Sequence, residues 1–201
     1  MSKDYLVNLV FSFTFLNLAV VGISALSFDS TFHTMVRIGG VVCNIFMGVF
    51  LLMNKKAISD ASPIHKPYWL GMIASNIAAV KLIDMNCSMF SIYSICFIVG
   101  LVIVLVSLFS MGNSFAVTPM LSRIRTSCIY SVVRHPMYLG ESCMVISCIL
   151  SSVTYLSLLL LIPYLFFTVM RIHEEEKLLL KSDTYEEYCA STPWRLLPFI
   201  W

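Results

Sequence analysis

The sequence predicts an all-α fold: a polytopic membrane bundle of five to six transmembrane helices, closed by a C-terminal helical hairpin and a cytoplasmic tail helix. Three observations carry that prediction. Hydrophobic residues make up 59% of the 201 residues and charged ones only 12%, where a soluble domain carries roughly 25% charged residues. Apolar runs near the roughly 20 residues needed to cross a bilayer recur along the chain. The basic residues collect in the connections between those runs rather than along one face.

The first run, residues 5–27, has only Lys3 as a basic flank and is longer than the roughly 7 to 15 residues of a signal-peptide core. It reads as a retained span. Residues 35–53, 68–85 and 88–111 form the next three runs, and Lys81 and Asp84 within the third lie three apart, on one helix face, where they pair or snorkel toward the boundary. Residues 137–170 are too long for one crossing. The polar stretch "LSSVTY" at 150–155 breaks them, so they fold into a helical hairpin and the total is six crossings, or five if the third run only partly enters. Lys55, Lys56 and Lys66 crowd the second connection, Arg123, Arg125 and Arg134 the fourth, and Arg171, Lys177, Lys181 and Arg195 the tail, whereas the connections near Asp29 and Asp84 carry few bases. The positive-inside tendency then fits six crossings with both termini cytoplasmic. Tyr68, Trp69, Trp194, Phe199 and Trp201 read as interfacial aromatics. There is no repeat or linker, so residues 1–201 form a single integral membrane domain, with the N-terminal spans in 1–112.

Function classes narrow quickly. A net charge of +2 gives no basic footprint for nucleic acid. The seven cysteines contain no C-x-x-C pair, which argues against a metal or redox site and for small buried hydrophobes.

The polar residues that remain are concentrated. In "VVRHPMYLGE" (132–141), Pro136 disfavours helical geometry at His135 and suits a first helical turn, so the hairpin starts at Pro136 or Met137. The unpaired amides of that turn favour an anionic group. Tyr138 and Glu141 lie on one face beneath it. In "MRIHEEEKLLL" (170–180), Arg171 and Glu175 are one turn apart. A hairpin returns the chain to the side it left, so Arg171 and Glu175 should emerge beside His135 and Tyr138.

Together "TSCIYSVVRHPMYLG" (126–140), "RIHEEEKLLL" and "YEEYCASTPWRLLP" (185–198) resemble the C-terminal signature of the isoprenylcysteine carboxyl methyltransferase family, membrane enzymes that use S-adenosylmethionine. The resemblance covers roughly residues 122–198 and makes 113–201 the methyltransferase-like portion. It implies that Ser122, Arg123, Ile124, Arg125, Tyr130, His135, Pro136, Met137, Tyr138 and Glu175 line the methyl donor, that Arg171 meets the acceptor, and that Glu176 orients the site. It further implies a lipophilic acceptor presented from the bilayer, such as the carboxylate of a prenylated cysteine, and residence in the endoplasmic reticulum of a eukaryote or the cytoplasmic membrane of a bacterium. The chain departs from the family at Cys128, where glycine is usual, and at Lys181 and Ser182, where an F-G pair is usual.

Methyl transfer from a sulfonium is an in-line displacement that a water-poor pocket favours and that alignment mostly supplies. A carboxylate acceptor is already ionised and needs no base, and Arg171 would hold it in a fork. An amine or thiol acceptor would call on Tyr138 or His135 as base, so Arg171, His135 and Tyr138 are the candidate catalytic residues. Three competing readings share parts of the pattern: a membrane steroid or polyprenol reductase using NADPH, a phospholipid amine methyltransferase, and a non-catalytic scaffold of the same fold.

Overall fold

The computed structural model describes residues 3–24, 32–53, 74, 91–112, 124–151 and 154–201. Within them lie six α-helices: α1 (Lys3–Ser24), α2 (Phe32–Met53), α3 (Ile92–Met111), α4 (Pro136–Ser151), α5 (Tyr155–Leu179) and α6 (Asp183–Ser191), with a short 3-10 turn η1 (Cys128–Ser131) ahead of α4. No strand occurs among the described residues. Three helices, α2, α3 and α5, are long and apolar enough to cross a membrane, and Leu9–Ser24 and α4 are shorter apolar helices. This is an all-helical membrane protein. Ser122, Arg123, the third apolar run at 68–85 apart from residue 74, with Lys81 and Asp84, and the connection carrying Lys55, Lys56 and Lys66 lie outside the described residues.

The helix ends follow local chemistry. Ser91 caps α3 by accepting a bond from the Ser94 amide, and Gly112 closes the helix at φ 51°, a left-handed conformation open to glycine. The hairpin breaks within the polar stretch at 150–155: Thr154 caps α5, its hydroxyl accepting from Ser157 N at 3.1 Å while Ser157 Oγ accepts from Thr154 N at 2.8 Å. That reciprocal pair satisfies two amides at the start of a 25-residue helix. At the other end of the hairpin, α4 begins on Pro136 itself, where the missing amide costs nothing.

Packing relies on small residues and polar ties, as expected where lipid offers no hydrophobic drive between helices. Gly100 of α3 faces Gly140 of α4 so closely that a Cβ on either would lie 2.6 Å from the carbonyl oxygen of the other. Ser12 of α1 donates to Gly48 O of α2 at 2.8 Å, and Tyr164 of α5 donates to Ser142 Oγ of α4 at 3.2 Å. Two apolar clusters then divide the bundle. The first joins Phe32, Val36, Phe97, Val145, Cys148, Ile149 and Tyr164, and so ties α2, α3, α4 and α5 near the turn of the hairpin. The second joins Cys43, Phe50, Leu51, Val104 and Leu108, with Met137 and Phe11 against it, and draws on α1 to α4 but not α5. The hairpin arms are therefore fastened at their turn, and its open end is held by different, polar contacts.

Candidate functional site

Those contacts begin with Tyr138. Its hydroxyl donates to Glu175 Oε2 at 2.8 Å and accepts from Arg171 Nε at 3.0 Å. One phenol on the first turn of α4 thus joins both polar residues near the end of α5, as the fold-back of the hairpin requires. Arg171 is buried, 8% exposed, so its positive charge is sustained by partners rather than by water. Glu175 acts on it electrostatically, and so does Glu141, one turn along α4 from Tyr138.

His135 is placed beside this cluster but engages the neighbouring carboxylate. It is 5% exposed, and its Nε2 lies 3.4 Å from Glu176 Oε1. Glu176 also receives Arg134 at 3.3 Å and Arg195 at 2.6 Å, and the Tyr185 hydroxyl at 3.4 Å. Four side chains from the loop before α4, from α6 and from the tail converge on one buried carboxylate. The loop is fixed by its backbone too: Arg134 N donates to Trp194 O and His135 N to Arg195 O, both at 2.9 Å. Proline at 136 keeps His135 out of the helix, and the tail supplies the pairing that an extended segment needs. Trp201 stacks under the Arg195 guanidinium at 5.6 Å, so the tail aromatic buttresses the arm that reaches Glu176.

A third layer comes from η1 and α6. Tyr188 donates to Tyr130 O at 2.6 Å, which pins the loop against the tail helix. Burial pushes the Tyr130 hydroxyl above the ordinary phenol range, and Glu175 and Tyr188 nearby push it further. Burial likewise raises Tyr185, with Glu176 adding to it, and raises Tyr188. All three phenols are held protonated, and those of Tyr185 and Tyr188 serve as donors.

The expected residues divide accordingly. His135, Tyr138, Arg171 and Glu175 are brought together, with Tyr130 within electrostatic reach of Glu175. Met137, one residue round the helix from Tyr138, packs against the second apolar cluster, and Pro136 is fully buried. Ile124 and Arg125 are half-buried, and the Arg125 Nε is a buried donor with no partner among the described residues. Arg134 and Arg195 join the site through Glu176, and Glu141 through its charge on Arg171. The sequence placed Glu141 on the face of Tyr138 and the two arginines within the motif stretches, but named no partner for any of them.

The departures from the family pattern have a structural reading. Cys128 sits at φ 60°, a conformation that glycine takes at no cost and an L side chain resists. Ser182 has φ −112° and Leu180 φ −64°, so the turn before α6 uses ordinary right-handed and extended backbone and needs no glycine.

A donor such as S-adenosylmethionine presents an ammonium, hydroxyls, a carboxylate and a sulfonium. The residues fit it: Glu175 could accept from ammonium or hydroxyl groups, the Arg125 Nε would suit a carboxylate, and the Tyr130 and Tyr138 rings would suit a cation. The family model for phospholipid methyltransferase matches residues 90–186, from the start of α3 into α6. Over that stretch the chain is similar to those enzymes, and the match speaks for a membrane methyltransferase. The isoprenylcysteine family named by the motifs is a different membrane methyltransferase family from the one whose model matches. No curated protein and no solved structure matches the chain.

Proposed function

We propose that the protein is an S-adenosylmethionine-dependent methyltransferase that modifies the polar head of a lipophilic acceptor at the membrane interface. The observation that carries this is the triad Arg171, Tyr138 and Glu175, tied across the hairpin at 3.0 and 2.8 Å. In this reading Glu175 is the donor-side carboxylate and Arg171 the acceptor-side guanidinium, on either side of one phenol. When bound, the donor supplies an electrophilic methyl group. The chain's own part is positioning: Glu175 holds the donor, the Glu176 network fixes His135 and the loop, and the apolar helices keep water from the reacting atoms.

The motif resemblance supports a carboxylate acceptor held by Arg171, such as a prenylated cysteine. The family match supports a second acceptor, a phospholipid amine. Both share the donor. The donor reading separates from the NADPH reductase and scaffold readings by thermal unfolding of the detergent-purified protein with S-adenosylhomocysteine or NADPH. Saturation a hundredfold above Kd adds about 2.7 kcal/mol, a rise of about 5 to 10 °C at this chain length. A rise with S-adenosylhomocysteine alone is expected. A rise with NADPH alone, or with neither, overturns the proposal.

A further inference from the structure

Residues 195–201 close into a loop on their own backbone. The amides of Arg195, Leu196 and Leu197 all donate to Trp201 O, at 3.0, 2.9 and 3.1 Å, and those of Ile200 and Trp201 return to Leu197 O at 3.2 and 3.1 Å. The loop turns apolar side chains outward: Phe199 is 85% and Ile200 76% exposed, with Leu197 exposed beside them. Phe199 also holds φ 67°, a conformation that a bulky L residue resists and that persists only where its surroundings impose it. An apolar cluster displayed in this way marks a surface that meets lipid or another protein.

The position of the loop decides between them. The Trp201 ring lies against His173 of α5, centroids 6.0 Å apart. His173 is three residues past Met170, where the apolar run of α5 ends, and so about 4.5 Å further along the axis. It is seven residues from Phe166 and eleven from Ile162, within about 20° of both round the helix, and both of those are exposed along the span. The loop therefore stands at the rim of the bilayer, over the outward stripe of α5 and away from the centre of the bundle. Side chains displayed from there meet the headgroup boundary, where aromatic residues of membrane proteins collect.

The same segment frames the site. Trp194 O and Arg195 O accept from Arg134 N and His135 N, both at 2.9 Å, and Arg195 Nε reaches Glu176 Oε2 at 2.6 Å with its guanidinium over the Trp201 ring. We infer that Phe199 and Ile200 form a finger inserted in the lipid interface, and that its seating holds Arg195 on Glu176 and residues 134 and 135 in their pairing with the tail. The bilayer is then a ligand of the tail as well as a solvent for the helices: lipid that receives the seated finger and not the freed one shifts the tail toward the seated state. The finger carries no charge, so a zwitterionic surface suffices.

The test uses the full chain in phosphatidylcholine nanodiscs doped with a phosphatidylcholine that bears a diazirine at the top of one acyl chain, with crosslinks mapped by mass spectrometry. Lipid adducts on Phe199 or Ile200 are expected; their absence overturns the insertion and returns the patch to a protein partner. Hydrogen exchange in the same nanodiscs reads the amides of Arg134 and His135. Phe199→Asn with Ile200→Ser removes the apolar surface while asparagine takes a positive φ more readily than phenylalanine. A tail held by its own hydrogen bonds alone would exchange no faster in that variant, whereas a tail held by lipid is expected to exchange about tenfold faster or more. Phe199→Leu with Ile200→Leu keeps the apolar surface and is expected to exchange like the wild type. Ile200→Ser alone, at a side chain exposed to this degree, serves if the double variant fails to fold, and a rise of about threefold is expected. Exchange unchanged in the serine variants, or raised equally in the leucine pair, overturns the coupling. Neither readout needs a methyl donor, so a failure of the methyltransferase reading would leave this result standing.

Discussion

Gly140→Ala tests how the fold positions the site. A Cβ there would lie 2.6 Å from Gly100 O and 2.9 Å from both the amide nitrogen and Cγ2 of Val104. Two of those atoms are backbone and cannot swing away, so α3 and α4 must part by about 1 Å to restore van der Waals contact near 3.5 Å. Overpacking of this kind costs typically about 1 to 3 kcal/mol, and the upper half of that range is expected because backbone opposes it. Tyr138 is two residues away on the same helix and holds Glu175 at 2.8 Å, so the shift reaches the site. A displacement of about 1 Å costs on the order of a hundredfold in rate where alignment supplies the catalysis. Gly40 is the internal control, since an added Cβ there meets nothing within 4 Å. Thermal unfolding in detergent and single-turnover methyl transfer should both separate the variants, with Gly40→Ala like the wild type. If Gly140→Ala is as stable and as active as Gly40→Ala, the backbone contact of α3 with α4 does not set the site.

Three further substitutions probe separate layers. Cys128→Gly relieves a side chain held at φ 60° and loses no packing at an exposed position, so a gain of about 1 kcal/mol is expected, read as a rise of about 2 to 4 °C in Tm; a fall would refute the strain. Glu176→Ala leaves Arg134, whose side chain is 8% exposed, without its carboxylate, while Arg195, a third exposed, can turn to solvent. A loss of about 2 to 3 kcal/mol in chemical unfolding is expected, and less than about 0.5 kcal/mol would show that the network is ornamental to stability. Tyr138→Phe strands the Arg171 Nε donor and the Glu175 acceptor together, at about 1 to 3 kcal/mol for a buried group. A drop of roughly tenfold or more in S-adenosylhomocysteine affinity should accompany it, and unchanged affinity would detach Tyr138 from the donor.

Much of this architecture was legible because it rests on short-range rules. The hairpin turn at 150–155, the start of α4 at Pro136 and the approach of Arg171 and Glu175 to Tyr138 follow from a polar break, a proline and helical spacing. The assignment of partners was less legible. Glu175 and Glu176 are adjacent and chemically identical, yet a rotation of about 100° along the helix sends one to Tyr138 and the other to His135, Arg134, Arg195 and Tyr185. That division depends on where α6 and the tail come to rest, which no local pattern records. Met137 illustrates the same limit: next to Tyr138 in sequence, it is turned about 100° round α4 and packs on the second apolar cluster. Cys128 is the converse case. The usual glycine there was known from resemblance, and only the positive φ supplies its physical reason.

The central claim is that the two lips of the hairpin close around one donor, with Glu175 as its carboxylate contact. Titration calorimetry of S-adenosylhomocysteine into the purified wild type and Glu175→Ala tests it most directly. Saturable binding by the wild type, weakened at least tenfold in the variant, is the result expected. Equal affinity in the two proteins, or no binding by the wild type, would contradict the account.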